Sequence, residues 1–347
     1  MALRRVANPP NPFESTHREW LGEIPPARVE VFEETARSIL STNDSPDIPF
    51  NYSVNPYRGC QHACSYCYAR PTHEYLGYGA GTDFDTRLIV KTNAPELLDR
   101  ELRKIRGESV AFSGVTDAYQ PLESVYRLTR GCLEACLRHR CRASIVTKSF
   151  LISRDAELLA ELNAAAGLRV YFSIPFMDAE VARLVERGAP PPQKRFEAMK
   201  RLHDAGVPVN LLIAPIIPGL NDRDVARLLS TASECGARSA GYLALRLPGS
   251  VQEVFLSRLR EDLPDRAARV EHHIRAMRGG HLSESRFGCR MRGEGEYWAG
   301  VERLFKTTAR RCGIELTDRP IEERIAEKCP DPGPRATLQL PLFGQFG

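Results

Sequence analysis

The chain predicts an α/β fold: an open, partial (β/α)6 barrel of the TIM type, with an N-terminal extension, a helical C-terminal region and a flexible tail. Three observations lead there. Between residues 48 and 250, short apolar runs alternate with amphipathic stretches, which implies right-handed βαβ units and a parallel sheet. The length of 347 residues suits a barrel of about 250 residues plus extensions. Polar and sulfur-bearing side chains gather just after the apolar runs, at the strand ends where such folds hold ligands. Six strands are too few for the closed eight-stranded form, so the barrel is open.

The elements follow in order. Residues 1–47 are rich in Pro, Arg and Glu and read as an extension that wraps the core, with a short helix near 31–40. Residues 48–54, IPFNYSV, alternate with period two and read as the first strand; Pro49 suits its opening, where no ladder bond is lost. A helix over 94–106 spaces Leu97, Leu98, Leu102 and Ile105 along one face, and a strand follows at 109–115. Then come helix 122–140, strand 143–147, helix 155–165 and strand 168–174. The helix over 191–205 has Phe196, Met199 and Leu202 on one side and stops at Gly206. Strand 207–213, helix 222–235, stopped by Gly236, and strand 240–245 complete the core. The barrel thus spans 48–250. Residues 251–329 read as helical, with a Gly- and Arg-rich break at 288–298, and 330–347 as a Pro/Gly-rich tail.

Composition narrows the class. A hydrophobic share of 42% and a charged share of 27% are ordinary for a soluble globular protein with a sizeable core. The net charge of +4 implies no strong overall field for nucleic acid. No run approaches the ~18 apolar residues of a membrane span. The N-terminal residues lack an apolar signal region, so ten cysteines in a chain of this size point to a reducing, cytoplasmic setting.

The stretch over 55–70, NPYRGCQHACSYCYAR, carries the most specific chemistry. Cys60, Cys64 and Cys67 make a C-x3-C-x2-C spacing in the loop after the first strand. Iron–sulfur clusters are held by cysteine thiolates, and a [4Fe–4S] cluster needs four ligands. Three leave one iron open to a small chelating molecule. A structural zinc site would need four ligands, with His62 in reach as the fourth, but zinc ribbons present two separated pairs. Unligated buried cysteines are the third reading. Tyr66 stands directly before the last cysteine. The stretch resembles the radical S-adenosylmethionine (radical SAM) superfamily, whose pattern is C-x3-C-x-aromatic-C. The resemblance implies that Cys60, Cys64 and Cys67 hold a [4Fe–4S] cluster and that S-adenosylmethionine chelates the open iron. It implies reductive cleavage to a 5'-deoxyadenosyl radical, and hence an electron donor.

Later strand ends add candidates. The second ends in FSGVTDAYQPLE, and the resemblance makes Thr116 and Asp117 the groups that bind the cosubstrate's amino group; the plain alternative is a capped turn, since Pro121 suits a helix start. Lys148, after the third strand, would pair with the cosubstrate carboxylate, or else be a solvated lysine. Ser173 in YFSIPF needs a hydrogen-bond partner, either the cosubstrate or neighbouring backbone. The APIIPGLND segment passes close to the adenine or is a plain loop with Asn221 as helix cap. In their order these segments look like the subgroup related to spore photoproduct lyase, which implies a DNA substrate. One departure stands out. Those lyases carry a hydrogen-donating cysteine beyond the second strand, and residues 113–117 contain none. Cys289, Tyr119 and Tyr297 are substitutes, each with core packing as its plain alternative.

Cys132, Cys136 and Cys141 could hold a second cluster, but Cys132 and Cys136 share a helix face and core placement is the simpler reading. Arg286, Arg290 and Arg292 are candidate phosphate contacts or a solvated basic turn. Residues 339–343, QLPLF, resemble the short peptide that docks on the bacterial β sliding clamp. Gln339 would enter a polar subsite, and Leu340, Leu342 and Phe343 an apolar groove. The other possibility is that the tail folds back on the barrel. A radical SAM enzyme acting on a protein or metabolite, and a non-catalytic metal-stabilised adaptor, remain as functional alternatives.

Overall fold

The computed structural model describes residues 8–13 and 28–316. Its strands are β1 (Glu30–Glu34), β2 (Leu40–Thr42), β3 (Tyr52–Val54), β4 (Tyr57–Arg58), β5 (Arg87–Lys91), β6 (Ser109–Phe112), β7 (Arg142–Thr147), β8 (Leu168–Ser173), β9 (Val209–Ile216), β10 (Ser239–Ala244) and β11 (Glu315–Leu316). The helices are α1 (Thr82–Thr86), α2 (Ala94–Glu101), α3 (Glu123–Tyr126), α4 (Leu128–Arg138), α5 (Ala156–Ala165), α6 (Ala179–Val185), α7 (Pro192–Asp204), α8 (Val225–Glu234), α9 (Val251–Asp262), α10 (Pro264–Ala276) and α11 (Gly295–Arg311).

The six expected strands are β3, β6, β7, β8, β9 and β10, and they pair as parallel neighbours in that order. Two edge strands extend the sheet: β2 pairs antiparallel with β3, and β11 parallel with β10. The order β11-β10-β9-β8-β7-β6-β3-β2 is linear, so the barrel is open. The central strands bury one face completely: Ile145, Val170, Phe172, Leu211 and Ile213 share that face and are fully buried, while Ser144, Val146, Tyr171 and Leu212 on the other are partly open. Helices α4, α5, α7 and α8 turn Leu133, Leu159, Met199 and Leu228 onto the sheet. Gly206 and Gly236 end α7 and α8 in the left-handed region that glycine adopts without strain.

Several expectations are corrected. Residues 31–40 contain no helix. Val31, Phe32 and their neighbours form β1, whose backbone pairs in register with β5, and the Glu101 carboxylate accepts the amides of Ile39 and Leu40. Long-range pairing here overrides local preference. With β4, these strands make a second sheet, β1-β5-β4, that the reading of the sequence lacks. The helix over 122–140 is broken at Arg127, which has φ of 53°. The Glu123 carboxylate caps the second piece by accepting the amides of Thr129 and Arg130. Asn221 caps no helix through its side chain; it takes the Ile217 amide and donates to the Pro175 and Pro215 carbonyls, fixing the loop after β9. The tail peptide at Gln339, Leu340, Leu342 and Phe343 lies outside the described residues. No described helix is long and apolar enough to cross a membrane.

Candidate active site at the cysteine loop

The loop after β3 is fixed from three sides. From β6, Thr116 Oγ1 and Gln120 Nε2 donate to the Gly59 carbonyl at 2.7 and 3.2 Å. Gln120 Oε1 accepts the Gln61 amide at 3.0 Å. From the α6–α7 connection, the Ser65 amide donates to Val185 O, and the Gly188 amide to His62 O. Position 188 must be glycine, since a Cβ there would meet Gln61 O at 1.8 Å. From below, Arg70 gives Nε and Nη2 to the Cys64 carbonyl and Nη2 to Asp85 Oδ1. Arg258, from α9, donates to Ala63 O and to Asp85 Oδ2. A buried Arg–Asp–Arg unit therefore grips the loop by two successive carbonyls. Ala63 itself stands at φ of 52°, a conformation that persists in a non-glycine residue only when its surroundings enforce it.

All three thiols are free. Cys60 and Cys64 are buried, and Cys67 is partly exposed. Burial first, then the nearby Asp117 carboxylate and Cys67, push the Cys60 thiol up to about 12. Burial also raises Cys64 and Cys67, and the Lys148 ammonium acts against it at both. The loop therefore holds three thiols raised by burial, with Cys60 and Cys67 in the field of Cys64, and with Lys148 in the field of Cys64 and Cys67. Loading a metal centre would release their protons.

The structure brings several expected residues together. Lys148 Nζ donates to Ser173 Oγ at 2.8 Å and stands 5.8 Å from the Tyr66 ring centre. Ser173 Oγ donates in turn to Ala214 O. Glu186 and Arg195 complete the group, and neither is visible as a site residue in the sequence. Glu186 Oε1 accepts the Tyr66 hydroxyl and lies 3.7 Å from Lys148 Nζ. Glu186 Oε2 accepts Arg195 Nη2, and Arg195 Nη1 donates to the Ser173 carbonyl. Burial alone would raise the Glu186 carboxyl; Arg195 and Lys148 hold it below its ordinary value instead.

Asp117 is engaged by protein groups on both oxygens. Oδ1 accepts Thr147 Oγ1 and the Tyr119 amide; Oδ2 accepts the Lys148 amide and lies 3.3 Å from His62 Nδ1. Its acceptor sites are filled by protein groups. It joins the cysteine loop to the tips of β6 and β7. Burial works to raise its carboxyl, but His62, the Lys148 amide and Thr147 together bring it down to about 2. A depressed carboxyl stabilises the fold above its unfolded value of about 3.9 and stops doing so as pH falls through about 2. Asp117→Asn is accordingly expected to reduce stability at pH 7 and to flatten its loss between pH 4 and 2, as measured by urea unfolding.

Other candidates lie elsewhere. The Tyr297 hydroxyl bonds Asp222, and its ring stacks on His273. Tyr119 is buried, with Asp155 and Glu123 as the charges nearest its hydroxyl. Cys289 lies on the segment whose carbonyls Arg278 holds. Cys132 and Cys136 are in the core, and Cys141 Sγ donates to the Glu108 and Arg142 carbonyls at 3.6 Å. Arg290 is buried against Asp47 and Ser45, so it is not the open phosphate contact expected of it. Arg286 pairs with its neighbour Glu284.

Among the described residues, no three His, Cys, Asp or Glu side chains converge as a single metal ion requires. That geometry fits a four-ligand zinc site poorly, and His62 is engaged by Asp117. Three free thiols in one loop, beside a cation and a strand-end hydroxyl, fit a larger sulfur-bridged centre with one position left for an amino-acid cosubstrate.

Residues 54–232 match the family model described as the radical SAM superfamily. The chain belongs to that superfamily. Its members use a [4Fe–4S] cluster and S-adenosylmethionine. An uncharacterised protein of Mycobacterium tuberculosis is 39% identical over 242 residues, covering 69% of this chain and 71% of that one. An uncharacterised protein of Methanocaldococcus jannaschii is 32% identical over 196 residues, covering 56% and 71%. Among solved structures, spore photoproduct lyase complexed with dinucleoside spore photoproduct superposes with a TM-score of 0.57, covering 82% of this chain and 81% of that one at 17% identity. A cysteine-to-serine variant of the same lyase gives 0.58. At that identity the likeness is one of fold. Radical SAM membership makes the protein an enzyme.

Proposed function

We propose that the protein is a radical SAM enzyme whose cluster is held by Cys60, Cys64 and Cys67 and whose substrate is nucleic acid. The observation that carries this reading is the gathering of Lys148, Ser173, Tyr66 and the three free thiols at the carboxyl ends of the parallel strands. When bound and reduced, the cluster supplies the electron that splits S-adenosylmethionine into methionine and a 5'-deoxyadenosyl radical. The chain's own residues supply position. Lys148 takes the cosubstrate carboxylate, exchanging Ser173 for a full negative charge. Glu186 fixes Tyr66 against the loop, and Arg195 keeps Glu186 ionised and the tip of β8 in place. Thr116 and Asp117 hold the loop itself. Nucleic acid as substrate is supported by the shared fold with a lyase solved on a dinucleoside photoproduct. The missing cysteine in 113–117 argues for a hydrogen donor other than that lyase's.

Anaerobic reconstitution with iron and sulfide, reduction, and detection of 5'-deoxyadenosine test the reading. A colourless protein that releases none overturns it. Lys148→Met is expected to weaken S-adenosylmethionine binding ten- to a hundredfold, about 1.4–2.8 kcal/mol, with iron content unchanged. Calorimetry on the reconstituted protein measures this, and unchanged affinity would remove Lys148 from the site.

A further inference from the structure

We propose that Arg246, Tyr68 and Phe287 form a subsite beside the cysteine loop for single-stranded nucleic acid, with Arg246 on a phosphate and the two rings on bases. The inference rests on the nucleic-acid reading above and names the residues that would carry it.

Arg246 lies just past the carboxyl end of β10, at the ligand-binding end of the sheet. Its guanidinium stands 6.0 Å from the centre of the Tyr68 ring, and Tyr68 directly follows Cys67. Its hydrogen bond goes to the Met291 sulfur at 3.7 Å, a weak acceptor. Among the described residues no carboxylate pairs with it. The acid in its field is Asp47, whose two oxygens take the Gly288 amide and Arg290 Nε. Burial, and then Arg290, push the Arg246 guanidinium down to about 10. A half-buried cation without a counter-ion is costly to keep. A phosphate, matched to the planar fork of arginine, would balance it.

The rings give the second half of the argument. Tyr68 is 52% exposed and Phe287 43% exposed. Each is flanked by a guanidinium: Arg246 for Tyr68, and Arg290, 4.4 Å from the ring centre, for Phe287. Exposed rings beside cations are the surface on which unstacked bases settle, whereas duplex bases keep their faces covered. The surface is also fixed in place. The Tyr68 hydroxyl donates to Gly114 O, and Arg278 donates to the carbonyls of Leu245, Cys289, Arg290 and Arg292. Arg278 thereby ties the segment bearing Phe287 to the end of β10.

The test is fluorescence anisotropy of a labelled oligo-dT strand with the reconstituted full-length protein. Binding should weaken with salt and be weaker for a duplex of equal length. Arg246→Gln and Phe287→Leu should each lower affinity for the strand at least tenfold, while iron content and S-adenosylmethionine affinity stay at the unsubstituted values. The proposal is overturned if both variants bind the strand as the unsubstituted chain does. It is equally overturned if the unsubstituted chain holds its cluster and cosubstrate yet binds no strand, if a polyglutamate peptide binds as tightly, or if Arg246→Gln loses the cosubstrate instead. Absence of 5'-deoxyadenosine would count against the enzyme reading alone, because strand binding is measured without turnover.

Discussion

A Cys64→Ala variant purified without oxygen is expected to lose its iron and sulfide and to release no 5'-deoxyadenosine, while its fold persists. The thiol lies within electrostatic reach of Cys60, Cys67 and Lys148. Two thiolates are too few to retain a cluster that the family holds with three. The loop should survive the change, because what anchors it at this residue is the backbone: Arg70 grips the Cys64 carbonyl, not the sulfur. Cys136→Ala, on the buried face of α4, is the matching control and should keep full iron content. Iron and sulfide analysis with electron paramagnetic resonance decides the matter. A Cys64→Ala protein with the iron content of the unsubstituted chain would remove the loop from the chemistry.

The second large effect is on stability. Asp85→Ala should cost about 3–5 kcal/mol, because it leaves Arg70 and Arg258 buried without their shared carboxylate. With a denaturant slope near 3 kcal/mol/M, the urea midpoint should fall by at least about 1 M. Iron loss should quicken as well, since both arginines hold loop carbonyls. A midpoint within about 0.2 M of the unsubstituted protein would mean that the unit contributes nothing net.

Much of this architecture was legible in the residues. Along the central strands every second residue is buried and most of these are apolar, and the helices between them carry clear stripes. The second sheet was hidden because β1, EVFEE, is mostly exposed and gains its conformation from pairing with β5. At the site, Cys60, Cys64, Cys67, Lys148 and Ser173 could be picked out because a parallel barrel gathers strand ends whatever their separation in sequence. Glu186 and Arg195 could not: Glu186 precedes the helix expected at 191–205, and Arg195 is one of several charged residues on that helix. A signal was nonetheless present. Arg195 falls at i, i+4, i+7 with Met199 and Leu202, on the apolar side of α7. Arg258 continues the stripe of Val251, Val254 and Phe255 on α9 in the same way. An arginine within an apolar stripe is a charge that the fold must neutralise; here Arg258 grips the loop itself and Arg195 holds Glu186, the partner of Tyr66. Asp117 was singled out by position, but its role depends on His62, Thr147 and the Lys148 amide, partners that only the folded chain supplies.

The grip of Arg258 on the Ala63 carbonyl spans 195 residues of sequence. During synthesis, the cysteines leave the ribosome long before α9 does. Until that helix docks, the loop lacks one of its clasps and Asp85 lacks one of its two arginines. A nascent barrel without α9 would therefore present an unfinished receptacle.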